Sequence, residues 1–520
     1  MLQTIAVQKT RSTKQQALVL WFDEVGMADL SLVGGKNASL GETIKQLTPK
    51  GINVPNGFAI TAYAYRYFLK SAGLEAKLRQ IFADLDIEDV NNLRQRGQQA
   101  RSLILNAQFP PELAEAIAIA YEELSDRYGK DTDVAVRSSA TAEDLPDASF
   151  AGQQETYLNV RGINGVLEAA QKCIASVFTD RAISYRTLHG FDHFDVALAV
   201  GIQKMVRSDL ATSGVMFSID TETGFKNAVL ITAAYGLGEN VVQGAVNPDE
   251  YLVFKPTLRE GFRPIINKRL GSKAWQMVYD RSSYHPTKNI EVPLAQQKEY
   301  AINDDEILQL AQWAVVLEDY YSQINRSYTP MDIEWAKDGV TGELFVVQAR
   351  PETVQSRKSA NVVQTYKLQQ AGKTLATGRA VGEAIATGKV RAIYDVNNLD
   401  EFQEGEILVT NKTDPDWEPI MKKARAIVTD RGGRTCHAAI IAREMGIPAI
   451  VGCGDATDIL TTGEEVTVCC AEGEEGTVYQ GLLSFEVEQT VLDELPETRT
   501  KILMNVGNPE LAFHASEIDR

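Results

Sequence analysis

Apolar residues recur at helical spacing through Ser39–Leu47, Ala62–Ser71, Pro111–Tyr128 and Ile163–Leu188, and each of these segments is predicted to be a helix. Shorter runs rich in β-branched and aromatic residues lie between and beyond them. Phe58–Ile60, Asp133–Arg137, Thr156–Val160, Val196–Val206, Ala228–Ala233, Met331–Trp335 and Leu344–Gln348 read as strands. Helix and strand patterns mix without an obvious linker as far as Thr353, which predicts a multidomain α/β and α+β architecture with several sheets. From Glu352 to Gly378 the chain is rich in Gln, Ser, Lys and Thr and reads as a linker. A smaller, Gly- and Val/Ile-rich unit follows, with strands predicted at Glu406–Val409, Ala426–Val428, Ala449–Val451 and Glu465–Cys469. Thr500–Asn508 looks like one more strand and its exit turn. The expected division is a tail over 1–18, a large domain over 19–357, a linker over 358–377, a small domain over 378–484 and a remainder over 485–520.

Composition narrows the class. A chain of 520 residues should fold as about two to four domains. With 44% hydrophobic and 23% charged residues it reads as an ordinary globular protein. A formal net charge of −18 argues against a nucleic-acid partner, whose binders present a basic face. It leaves ATP open, because a phosphate site needs only a few local cations. Five cysteines in so long a chain do not make a secreted disulfide framework. No run of about 18 apolar residues suits a bilayer, and the residues after Met1–Ile5 are polar where a signal peptide would be apolar. These features predict a cytoplasmic protein with no membrane partner.

The most informative stretch runs from Gly432 to Glu444. Gly432 and Gly433 make a tight turn, Thr435 stands two residues before His437, and an amphipathic helix begins at once. A helix N-terminus disfavours imidazolium and leaves a neutral, nucleophilic ring nitrogen. The same helix end stabilises a phosphoryl group carried on that nitrogen. His437 is therefore the candidate nucleophile, with Thr435 a candidate to orient its ring by a hydrogen bond. The alternative is a histidine that merely caps a helix. Cys436, beside it, is read as structural, and the spacing of Cys436, Cys453, Cys469 and Cys470 lacks the paired arrangement of a zinc site.

Four further stretches suit a nucleotide. In Leu32–Ala38, Gly34 and Gly35 let the backbone come close and Lys36 supplies a cation, although the spacing is not that of a Walker loop and a surface turn is the alternative. In Val134–Asp144, Arg137 ends an apolar strand and enters a hydroxyl-rich loop, a placement suited to bidentate phosphate binding or to an ordinary ion pair. Tyr235–Asn240, with Gly244 and Asn247–Asp249, reads as a glycine loop lining a site. In Met331–Trp335 and Leu344–Pro351, two strands joined by a short turn would set Glu334 beside Gln348. A carboxylate and an amide oxygen there can hold Mg²⁺ between phosphates. Arg350, two residues beyond Gln348, shares its face and could neutralise a transferring phosphate. The alternative is a solvent-facing hairpin with one ion pair.

The run Gly432–Gly452 resembles the phosphohistidine signature of the phosphoenolpyruvate-utilising enzymes, without a gap. The four earlier stretches together resemble the ATP-grasp nucleotide domain of phosphoenolpyruvate synthase and its relatives, from about residue 20 to 357. The resemblance implies that Lys36, Arg137 and Arg350 bind phosphates, that Gly152 and Thr156 line the same site, that Gln203 lies near the adenine, and that Glu334 and Gln348 hold Mg²⁺. It implies a swivelling phosphohistidine domain whose His437 attacks the β-phosphorus of ATP, with AMP released and phosphate lost afterwards. The phosphoryl group would then pass to pyruvate, giving phosphoenolpyruvate.

Relatives of this kind continue into a pyruvate-binding (β/α)₈ barrel of about 200 residues or more. Thr498–Phe513 resembles the start of such a barrel, so a missing or separate barrel, a partner chain supplying it, or a homodimer is expected. Two alternatives stand beside this one. One is another dikinase of the family, acting like rifampin phosphotransferase or phenylphosphate synthase. The other is a non-catalytic ATP-binding partner subunit.

Overall fold

The computed structural model describes residues 14–491 apart from 88, 142–154, 189, 223, 281–285, 353–361 and 371. The molecule is multidomain α/β. It divides into two compact units, Met1–Met205 with Arg281–Pro286, and Val206–Asp280 with Thr287–Arg520. The first division therefore falls inside the 19–357 span.

In the first unit, β1 (Val19–Trp21), β2 (Gly57–Ile60), β3 (Val134–Ala140), β4 (Thr156–Val160) and β5 (Leu198–Lys204) form an antiparallel sheet in the order β1-β2-β5-β3-β4. Alternation along the strands splits the core in two. Phe58, Ile60, Val134, Val136, Val200 and Ile202 face a helical layer that includes Ala62–Ser71 and Pro111–Tyr128, both as predicted. Leu20 and Ala59 turn the other way, toward the Leu30–Leu47 helix. The predicted Ile163–Leu188 helix is two helices, Gly162–Ser176 and Asp180–Leu188, because Ser176 and Thr179 bond back to local carbonyls and end the first.

In the second unit, β6 (Thr212–Phe217), β7 (Ala228–Tyr235), β8 (Asp249–Phe254) and β9 (Ile265–Arg269) precede the small hairpin of β10 (Trp275–Tyr279) and β11 (Thr287–Glu291). β12 (Met331–Lys337) and β13 (Leu344–Pro351) complete an antiparallel six-stranded sheet in the order β13-β12-β6-β7-β8-β9. The Asp304–Asn325 helix packs on this sheet, opened by a capping box between Asn303 and Glu306. A buried ion pair, Lys255 to Glu318 at 2.6 Å, ties it down.

β14 (Val362–Leu368) pairs with β22 (Phe485–Val491), so part of the segment expected to be a linker is a strand. The polar residues around it hid it, because the strand it pairs with is distant in the chain. Between them, β15 (Thr374–Val381), β16 (Ile385–Ala392), β17 (Ile407–Thr410), β18 (Ala426–Thr429), β19 (Ala449–Val451), β20 (Glu465–Cys469) and β21 (Glu475–Gln480) close a barrel in the order β15-β19-β18-β17-β16-β20-β21. Val390, Ile407, Val409, Val428, Ile450, Val466 and Val468 belong to one of its cores. The segment resembling the start of a (β/α)₈ barrel lies outside the described residues.

Candidate functional site

In the first unit, the register opposes Arg137 to both Gly201 and Thr156, and Ala135 to Gln203. Opposed residues, and residues two apart on one strand, share a face. Arg137, Ser139, Thr156 and Gln203 therefore stand on one face, the face covered by the Leu30–Leu47 helix. That helix is kinked at Gly34, with φ 73°. A Cβ at Gly34 would stand 2.2 Å from the Ser139 carbonyl oxygen, so only glycine permits the approach. The approach lets Lys36 Nζ donate to the Ser138 carbonyl and the Asn37 amide donate to Ser139 Oγ, both at 3.3 Å. The structure thus brings together Lys36, Arg137, Thr156 and Gln203. Thr156 is exposed, Arg137 half-buried, and Gln203 buried with its amide donating to the Pro55 carbonyl at 3.3 Å. Gly152 lies outside the described residues.

In the second unit, β12 and β13 oppose Glu334 to Gln348 and Asp332 to Arg350, with an irregularity after Glu334. All four side chains share one face of the ribbon. Arg350 is engaged there, its Nε and Nη2 each 2.9 Å from Asp332 Oδ2. The ion pair weighed as the alternative for this hairpin is therefore present. Burial pushes the Asp332 carboxyl above its ordinary range, Arg350 pulls it the other way, and Glu334 and Glu352 push with the burial. Asp332 and Glu352 were not picked out from the sequence. The signal was there for Asp332, which precedes Glu334 by the period of a strand. The pair of hard oxygen donors on Glu334 and Gln348 suits Mg²⁺, which takes few protein ligands and keeps positions for phosphate and water. Among the described residues no group of three or more His, Cys, Asp or Glu side chains is placed to hold a metal ion.

His437 opens the His437–Met445 helix, with Cys436 as its N-cap in extended conformation (φ −74°, ψ 164°). The helix is the crossover between the parallel strands β18 and β19, which places His437 beyond the carboxyl end of β18. Ala438, Ala439, Ile441 and Ala442 bury the helix against Trp417, Met421 and Ile427, which holds His437 half-exposed at the rim. Thr413 Oγ1 is 3.3 Å from His437 Nδ1. The ring contact expected of Thr435 therefore comes from Thr413, while the buried Thr435 hydroxyl has no hydrogen-bond partner among the described residues. Sequence spacing could not reveal Thr413, which reaches the ring from the loop after β17. Burial raises the Cys436 thiol above its usual range, as befits an inert cysteine.

The loop before His437 is docked. Asn247 Oδ1 accepts from the Gly432 amide at 2.8 Å, Gly433 faces Pro248, and a Cβ at Gly244 would meet Cys436 Cβ at 2.5 Å. The glycine loop singled out around Gly244 and Asn247 thus lies against the histidine loop.

A family model described as pyruvate phosphate dikinase, AMP/ATP-binding domain, matches residues 30–370. A second, described as PEP-utilising enzyme, mobile domain, matches residues 402–473. The chain is 68% identical over 513 residues to phosphoenolpyruvate synthase of Synechocystis sp., covering 98% of this chain and 63% of that protein. It is 58% identical over 511 residues to phosphoenolpyruvate synthase of Aquifex aeolicus, covering 97% and 60%. The chain therefore spans less than two thirds of either relative. Among solved structures, an NMR structure of Enzyme I is 35% identical, covers 15% of this chain and 33% of that one, and superposes with a TM-score of 0.14.

Proposed function

Because the chain belongs to the pyruvate phosphate dikinase AMP/ATP-binding domain family, we propose that it phosphorylates its own His437 from ATP, as a phosphoenolpyruvate synthase does on the way to phosphoenolpyruvate. The observation that carries this reading is His437 at the start of a buried helix, with Thr413 on one ring nitrogen. If Nδ1–H donates to Thr413 Oγ1, the neutral tautomer places the nucleophilic lone pair on Nε2. The helix N-terminus then favours the phosphorylated product.

Phosphoryl transfer asks a protein mainly for positioning and charge neutralisation. Lys36 and Arg137 are the candidates to hold phosphates in the first unit, with Thr156 on the same face and Gln203 toward the adenine. In the second unit Glu334 and Gln348 would hold Mg²⁺, which when bound neutralises phosphate charge. Arg350 is proposed to serve phosphate through a guanidinium already oriented by Asp332. Pyruvate is the proposed acceptor, which the similarity to phosphoenolpyruvate synthases supports. We place the reaction in the cytoplasm, which five cysteines without a disulfide support. Among the described residues no helix is long and apolar enough to cross a membrane.

The test is incubation of the chain with Mg²⁺ and ATP labelled at the β-phosphate. AMP and acid-labile label on the wild type, both absent in His437→Ala, are the expected result. A wild type that binds ATP yet yields neither would overturn the reading.

A further inference from the structure

Glu222 sits in the connection between β6 and β7, yet its partners lie in the barrel. Its Oε2 accepts from the Gly382 amide at 2.9 Å. Its Oε1 takes Arg443 Nε at 3.1 Å, together with Arg443 Nη2, and Arg434 Nε stands 3.8 Å away. Gly382 lies between β15 and β16, Arg434 in the loop before His437, and Arg443 on the His437 helix. One carboxylate thus touches three separate parts of the histidine-bearing barrel. Beside it, Arg379 Nη2 meets Glu250 Oε2 at 2.9 Å, and Glu474 meets Arg379 at 2.6 Å and Arg434 at 3.6 Å.

The side chains of Arg443 and Arg434 are only 4% and 9% exposed. A buried guanidinium deprived of its carboxylate is strongly unfavourable, whereas a buried ion pair taken as a whole contributes little against its desolvation. Such pairs make a contact specific in geometry without making it hard to release. This differs from the apolar packing that holds the His437 helix within the barrel.

We infer that Glu222 is a positioning residue that docks the His437 barrel on the six-stranded sheet by engaging Arg434, Arg443 and the Gly382 amide together. Its kinetic consequence rests on the phosphotransfer reading above; its structural consequence does not.

The test uses the full chain with two dyes, introduced through non-canonical amino acids at Val340, in the β12–β13 turn, and at Leu482, just after β21, both exposed. Wild type should show a high energy-transfer population that Glu222→Lys loses, and that Glu222→Arg combined with Arg443→Glu regains. Glu222→Gln keeps the size and the acceptor for Gly382 but not the charge, and should shift the population in the same direction. In the AMP-forming assay, kcat should fall by about 100-fold for Glu222→Lys, with KM for ATP unchanged. Wild-type energy transfer in folded Glu222→Lys, or in Glu222→Gln, would overturn the proposal. Absence of AMP from the wild type would leave the dye measurement intact, so the two readings fail separately.

Discussion

The His437 loop and the Glu334–Gln348 hairpin, the two candidate sites of the second unit, arrive at their geometry by opposite routes. In the loop, two glycines, an N-cap and the helix it opens are contiguous, and the special environment of His437 follows from being first in that helix. In the hairpin the proposed metal site needs two residues rather than one. Glu334 meets Gln348 only because two strands pair in one register, and slipping that register by one residue would turn their side chains to opposite faces. A helix terminus is a local device that tolerates its surroundings. A pair of candidate ligands on two strands depends on the register of the ladder.

The largest expected effect that tests this contrast is at the hairpin. Glu334→Ala should lower AMP formation by about 100-fold and raise the Mg²⁺ concentration needed, with Gln348→Ala moving the same way. An unchanged Mg²⁺ titration in both would remove the hairpin from the site. Next comes the loop. Thr413→Val should cost about tenfold in labelling of His437, whereas Thr435→Val, which removes a hydroxyl with no hydrogen-bond partner among the described residues, should leave labelling and stability near wild type. The reverse ranking would mean that the nearby residue, and not the one brought by the fold, orients the ring.

The smallest effect concerns pH. Burial works against ionisation of Glu222, but Arg443 and Arg434, the bond from Arg443 and the Gly382 amide together hold its carboxyl below the usual value of 4.5. With a folded value depressed, its contribution is fully present above 4.5 and is lost as pH falls through the lower folded value. The dye signal of docking should therefore be flat from about pH 7 to about pH 5. A loss of docking within that window would assign the contact to another group.

Several elements were legible because their signals are short-range. Ala62–Ser71 begins at Thr61, whose side chain accepts from the Ala64 amide, and Pro111–Tyr128 begins with proline. Other elements escaped. The Asp304–Asn325 helix has its own capping box, but its apolar residues run almost all round because it is buried broadly, which blurs a helical stripe. β14 escaped because its polar residues look like a linker until β22 returns to pair with it. At the site, Arg350 was recognised as a cation, but its capture by Asp332 depends on cross-strand pairing.

By itself, then, the sequence determined the turn, N-cap and helix that make His437 distinctive, along with the glycine at position 34 that lets Lys36 approach β3. These rest on dihedral preferences and hydrogen bonds among near neighbours. Tertiary structure alone decided that Thr413 reaches the ring, that Glu334 faces Gln348, that Asp332 holds Arg350, and that Glu222 reads three parts of the barrel at once. Each of those contacts joins residues distant in the chain, and only strand register and the burial of charge bring them side by side.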